Sequence, residues 1–143
     1  MKGYIDAQPK SIQLCHIDAV PDNFLFVTGK DGSEKIKLTD WEYAGMQDPH
    51  LDVAMFIIYA MYDRDSAEKL IDLYFSDGCD KATRLKIYCY IAVSGLVWSN
   101  WCEFKRHCGV EFGAYAQRQY DYAREYTKIF FKEYREAFGR DYV

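Results

Sequence analysis

"LCHIDAVPDNFLF", residues 14–26, places His16, Asp18 and Asn23 in one short loop between two apolar runs. Read locally, the stretch is a turn, since Asp and Asn reverse chains readily and Pro21 before Asp22 suits a turn. Its flanks say more. "SIQLC" before it reads as a short strand and "NFLFVT" after it as a second. "GKDGSE" has the glycines and the Asp of a reversal. "KIKL" then alternates polar and apolar, as a half-buried strand does. Residues 24–39 are therefore a predicted hairpin, and "TDWEYAGMQDPH" follows as a loop rich in turn formers.

A hairpin returns the chain to where it left, so Asn23 and Asp40 should be neighbours in space. Asp18, Asn23, Asp40 and Glu42 are then expected to converge on one point. Three carboxylates and an amide oxygen form a hard-oxygen set that suits Mg²⁺. Without a cation, such a set would be destabilised by like-charge repulsion. Asp18, within the loop and offset from the others, is the best candidate for a base. Phosphoryl transfer to an alcohol needs a carboxylate to accept the hydroxyl proton and Mg²⁺ on the nucleotide phosphates. The order H-x-D-x-x-x-x-N, hairpin, D is that of the catalytic and metal loops of kinases.

Beyond residue 48 the period becomes helical. "DPHLDVAMFIIYAMYD" opens with Asp48 as a predicted N-cap and Pro49 at the first helical position. "DSAEKLIDLYF" is a second helix, ended by "SDG". A long third runs through "DKATRLKIYCYIAVSGLVWSNWCEFKRHCG", with Gly109 as its stop. "FGAYAQRQYDYAREYTKIFFKEYREAF" is a fourth, with Tyr115, Tyr122, Tyr126, Phe130 and Tyr134 along one apolar stripe. The fold class expected is α+β and mostly α-helical, a small β-hairpin region followed by about four helices. Residues 1–143 form one domain, with 12–45 carrying the loops and hairpin and 46–143 the helical, substrate-binding part.

Composition narrows the function. The 143 residues suffice for one domain with its own core. A net charge of −4 argues against a nucleic-acid partner, which needs a basic surface. The five cysteines are odd in number and form no C-x-x-C pair, so zinc and redox readings are weak and a reducing, cytoplasmic setting is expected. "MKGYIDAQPK" lacks the apolar core of a signal peptide, and no apolar run approaches the ~20 residues of a membrane span.

The aromatic content, 17% with thirteen tyrosines and three tryptophans, calls for a use. Trp98 and Trp101 stand three apart on one helix face, and Phe112 and Tyr115 three apart at the start of the next. Helices joined by a short connection are usually antiparallel neighbours, so the four rings can face one another. Electron-rich rings around a cavity hold a quaternary ammonium at ~0.5–2 kcal/mol per contact. Core packing is the competing use of such a stripe, and tyrosines such as Tyr88, Tyr90 and Tyr134 are read simply as core or rim.

Taken together, "CHIDAVPDNFLF" and "KLTDWEYAGMQDPHLDVA" resemble the choline kinase family and its bacterial relatives, within the aminoglycoside-phosphotransferase-like kinases. That family reads roughly H-N-D-x-x-x-x-N and then I-D-(W/F)-E-Y-A. The resemblance implies Asp18 as catalytic base, with His16 scaffolding its loop. It implies Asn23 and Asp40 as Mg²⁺ ligands, Glu42 as support for the metal site and ATP as co-substrate. It also implies a choline pocket of Trp98, Trp101, Phe112, Tyr115 and Tyr43. Ile17 stands where the family commonly has Asn and Thr39 where it often has Ile. Tyr59 stands where an acidic residue is common, which leaves the pocket leaning on aromatic faces and puts the amine's identity in question.

Only seventeen residues precede Asp18, and none forms a strand-Lys-strand or a phosphate loop. The resemblance therefore covers the C-terminal lobe of the protein-kinase-like fold. The chain alone is expected to be weakly active or inactive, and prone to self-association through its exposed lobe interface. Choline or a similar amino alcohol is the expected acceptor. Ethanolamine, an aminoglycoside, or a non-catalytic choline-binding module are the alternatives. A polycationic aminoglycoside calls for many carboxylates, and the candidate pocket is aromatic.

Overall fold

The predicted hairpin forms. In a computed structural model describing residues 1–142, β2 (Phe24–Thr28) pairs antiparallel with β3 (Glu34–Leu38), in register from Phe24 opposite Leu38 to Thr28 opposite Glu34. The turn closes through Gly29 N–H donating to Ser33 O at 2.7 Å, with Gly32 at φ +80°. The half-buried reading of "KIKL" is not met. Ile36 is 62% and Phe26 81% exposed, because only the inner end of the ribbon is covered, where Phe24 meets Phe56 edge-on at 5.3 Å, and the rest projects.

Two elements were not expected. α1 (Lys2–Ala7) buries Tyr4 and Ile5, with the Tyr4 ring edge-on to Phe130 at 5.1 Å. β4 (Gly45–Gln47) lies inside the stretch read as a loop and pairs antiparallel with β1 (Gln13–Cys15). This second small sheet matters for the site. The β2–β3 hairpin clamps the inner ends of segments 16–23 and 39–44, and β1–β4 clamps their outer ends. Both loops are thereby held against each other at each end.

The helices follow the sequence. α2 (His50–Tyr59) starts one residue later than read: Pro49, expected at the first helical position, is the N-cap, and Asp48, the expected N-cap, precedes it, with its Oδ1 accepting the His50 N–H at 3.2 Å. α3 (Arg64–Tyr74) is capped by Asp63 accepting from Ser66 N at 2.9 Å, and α4 (Lys81–His107) by Asp80 accepting from Thr83 N at 3.0 Å. α5 (Ala114–Phe138) ends at Gly139 in the left-handed region, φ +65°. α4 and α5 run antiparallel, as Trp101–Phe112, Tyr88–Tyr126 and Lys81–Glu133 neighbours show. They approach closely at Gly95, where a Cβ would lie 2.7 Å from Gln119 O. Only a residue without a side chain allows that spacing.

The core sits between α2, α4 and α5, with Ile57, Ile58, Ile87, Ile91, Tyr122, Tyr126 and Phe130 fully buried. The α5 stripe thus packs as read, except at Tyr115, which turns to a cleft described below. Inside the core edge lies one buried ion pair. Lys86 donates to Asp48 Oδ2 and to Pro9 O, 2.8 Å each, with the two side chains 2% and 4% exposed. Tyr90 OH donates to the same carboxylate oxygen at 3.1 Å. Both carboxylate oxygens and two of the three ammonium hydrogens of this pair are bonded, the kind of satisfaction under which burying charge is tolerated. All five cysteines are free thiols. No helix among the described residues is long and apolar enough to cross a membrane.

Candidate active site

The His-Asp-Asn loop is built on a strained residue. Ile17 has φ +68°, a left-handed conformation that is costly for a β-branched side chain. Asp52, in the first turn of α2, holds it there. Its Oδ2 accepts the His16 N–H and its Oδ1 the Ile17 N–H, both at 2.8 Å. His16 Nε2 lies 2.7 Å from Thr39 O, so that nitrogen donates, and its ring stacks edge-on to Trp41 at 4.7 Å. These bonds knit the first loop to the second. Sequence reasoning missed Asp52. Its only local signal is an acid in the first turn of an otherwise apolar helix.

Asn23 and Asp40 do become neighbours. Asn23 O accepts both Thr39 N–H at 3.0 Å and Thr39 Oγ1–H at 3.2 Å, one residue before Asp40. Asn23 Nδ2 donates to Asp18 O at 3.0 Å, which spends the amide nitrogen and leaves Oδ1 as its free end. Asp40 itself adopts φ +64°, which Asp tolerates, and is exposed. The expected convergence of Asp18, Asp40 and Glu42 on one metal-holding point is not observed: among the described residues no three of His, Cys, Asp and Glu are placed to hold a metal ion. The reason is the backbone after Asp40. Ala44 N–H donates to Trp41 O at 3.0 Å, a tight turn that leaves Glu42 exposed at its tip.

Asp18 faces an aromatic cleft of about 420 Å³. Ile17 joins it from the loop, Tyr43 from the following turn, Met55 and Tyr59 from α2, Trp98 and Trp101 from α4, and Tyr115 from α5. The rings form a ladder. Tyr59–Trp98 centroids are 5.8 Å apart, Trp98–Trp101 5.5 Å, Trp101–Phe112 5.3 Å and Phe112–Tyr115 6.5 Å. Phe112 is the exception among the predicted pocket residues, since it backs Trp101 without lining this cleft. It lines instead a polar cleft of about 470 Å³ with Glu103, Arg106 and Tyr120, to which no residue of the His-Asp-Asn loop contributes.

Burial, and after it the Asp18 carboxylate, raises the Tyr59 hydroxyl far above the ordinary tyrosine range. Burial, then Cys102 and Asp18, does the same to Tyr115. Both phenols stay neutral, and Asp18 is the sole carboxylate in the cleft wall. The arrangement can accept a proton at Asp18 and hold a cationic, largely apolar group against ring faces.

Residues 3–88 match the phosphotransferase enzyme family, and the match includes both loops and their clamps. The chain belongs to that family. Within it, the chain is 30% identical over 121 residues to protein LicA of Haemophilus influenzae, covering 76% of this chain and 41% of that one. Two solved structures are similar. One is a choline/ethanolamine kinase family protein from Mesorhizobium loti, with TM-score 0.73, 26% identity, and coverage of 89% of this chain and 43% of that one. The other is choline kinase LicA from Streptococcus pneumoniae, with TM-score 0.67, 28% identity, and coverage of 90% and 44%. The chain thus spans less than half the length of these relatives of the phosphotransferase family.

Proposed function

We propose that this chain is the acceptor-binding and catalytic part of a phosphotransferase that moves the γ-phosphate of ATP to the hydroxyl of choline. One observation carries the reading: Asp18 and five rings line a single cleft sized for a small ligand. A trimethylammonium group needs no hydrogen-bond acceptors and gains from each ring face, whereas a primary ammonium wants three acceptors. The cleft offers rings and one carboxylate, which favours choline over ethanolamine. That the relatives include a choline kinase agrees with it.

In this reading Asp18 accepts the proton of the choline hydroxyl as its oxygen bonds to the γ-phosphorus. The bond from that phosphorus to the β,γ-bridging oxygen breaks, and ADP leaves with the electron pair. His16 and Asp52 keep Asp18's loop in place. Asn23 Oδ1 and the Asp40 carboxylate are hard oxygens on two loops that the Asn23–Thr39 bonds hold together, and they would suit Mg²⁺, which takes one or two protein oxygens beside phosphates and water. When bound, the ion would neutralise charge on the nucleotide phosphates. Glu42, exposed at its turn, would act on that site only from outside it.

The test is a choline titration of the chain by tryptophan fluorescence and calorimetry, with ethanolamine and a neutral isostere alongside. Saturable binding that prefers choline and is lost in Trp98→Ala and Trp101→Ala supports the reading. Equal binding of the neutral isostere, or no choline binding by folded protein, refutes it.

A further inference from the structure

The cleft contains two polar atoms with nothing to bond. Tyr59 OH and Trp98 Nε1 are both sealed from solvent and have no hydrogen-bond partner among the described residues. Their rings are 5.8 Å apart, and both line the cleft that Asp18 faces. Buried donors are rarely left unpaired, and orphans in a cleft mark the place of a missing partner. The two orphans differ in kind. Indole N–H only donates, whereas a phenol both donates and accepts. If the indole points its hydrogen at the phenol oxygen, the phenol's own hydrogen is left free for a third group. Asp18 and the Trp98 indole both lie near enough to act on the Tyr59 hydroxyl, yet neither reaches it with the distance and angle of a hydrogen bond.

Resting on the choline reading above, we propose that Tyr59 orients the acceptor's hydroxyl. Its O–H donates to the acceptor oxygen, while that oxygen's own hydrogen is offered to Asp18. The oxygen is then held at two points, one lone pair engaged by Tyr59, its proton by Asp18, and the remaining lone pair free to attack. Trp98 has a double use, its face for the cation and its N–H to set the direction of the Tyr59 hydroxyl. Tyr59 is thereby a specificity residue that reads the alcohol end of the ligand, and the rings read the cationic end.

The two ends are separable by ligand. Choline and ethyltrimethylammonium share the cationic head and differ by the hydroxyl. Calorimetric titration of the wild-type chain is expected to show choline binding tighter by about threefold to tenfold, the contribution of a neutral hydrogen bond. Tyr59→Phe keeps the ring and removes the hydroxyl. It should lower that ratio by about threefold, the remainder being the hydroxyl's bond to Asp18, and change ethyltrimethylammonium affinity by less than that factor. The variant deletes an unpaired hydroxyl, so it should melt no lower than wild type. A ratio of one in the wild type overturns the proposal without any variant. A ratio in Tyr59→Phe equal to that of the wild type overturns it while leaving the choline site standing. Failure of both ligands to bind the wild type overturns the choline reading itself, and this proposal with it.

Discussion

Replacing Asp52 by Ala tests whether α2 holds the His-Asp-Asn loop. The carboxylate accepts two backbone N–H groups at 2.8 Å each. Hydrogen bonds to a charged group contribute ~1.5–3 kcal/mol apiece, so losing both costs about 3–6 kcal/mol. Release of Ile17 from φ +68° offsets about 1–2 kcal/mol of this. A net loss of about 3 kcal/mol leaves the variant folded, since domains typically have ~5–15 kcal/mol in hand. Urea unfolding followed by tryptophan fluorescence reads it. With m near ~2 kcal/mol/M, the midpoint should fall by about 1.5 M at unchanged m. Choline affinity should fall as well, because Asp18 sits one residue beyond the strained position. A midpoint within about 0.3 M of wild type would show that the loop is held by His16 and Trp41 instead, and the argument from Asp52 would be wrong.

Lys86→Met strands Asp48 in the interior and should cost ~3–5 kcal/mol by thermal or urea unfolding; the double variant Lys86→Met/Asp48→Leu should recover more than half. No recovery would refute the pairing as the cause. Gly95→Ala drives a methyl to within 3.0 Å of Tyr122 Cβ and 3.2 Å of Ala123 N; a loss of ~1–3 kcal/mol is expected, and a neutral result would mean α4 and α5 separate freely. Acid should weaken the fold in two stages. Burial, then the Lys86 ammonium, holds His50 below its ordinary value against the pull of Asp48, so the unfolded chain takes up the extra proton and stability is lost as pH falls below about 6.5. Burial pushes Asp48 and Glu133 up, but hydrogen bonds from Lys86 and from Lys81 and Arg64 outweigh it and hold both carboxyls low, adding a second loss below about pH 4. The melting temperature of His50→Gln should lack the first stage; an unchanged profile would assign that stage elsewhere.

What the sequence carried was whatever is decided within a turn or two of chain. The hairpin and the buried face of α5 from Tyr122 onward rest on local chemistry and period, and both stand where they were read. The neighbourhood of Asn23 and Asp40 followed too, since a hairpin's ends must meet. The half-burial of "KIKL" did not, because alternation records which residues alternate and not whether a second layer covers them. Nor did the carboxylate cluster. Two side chains converge only if the backbone between them aims them so, and the left-handed Asp40 with the turn closed by Ala44 leaves Glu42 exposed.

The sequence by itself therefore determined the hairpin and the four long helices, the order of the two loops, and the family pattern that those loops resemble. Tertiary structure decided the rest. β4 exists because β1, some thirty residues earlier, supplies the hydrogen-bonding edge that three residues alone lack. Asp52 became part of the loop because α2 folds back beneath it. Tyr115 left the α5 stripe, and Phe112 fell behind Trp101, because the α4–α5 crossing sets which rings share a wall. Each of these depends on contacts between residues far apart in sequence, formed by packing whose geometry no local pattern encodes.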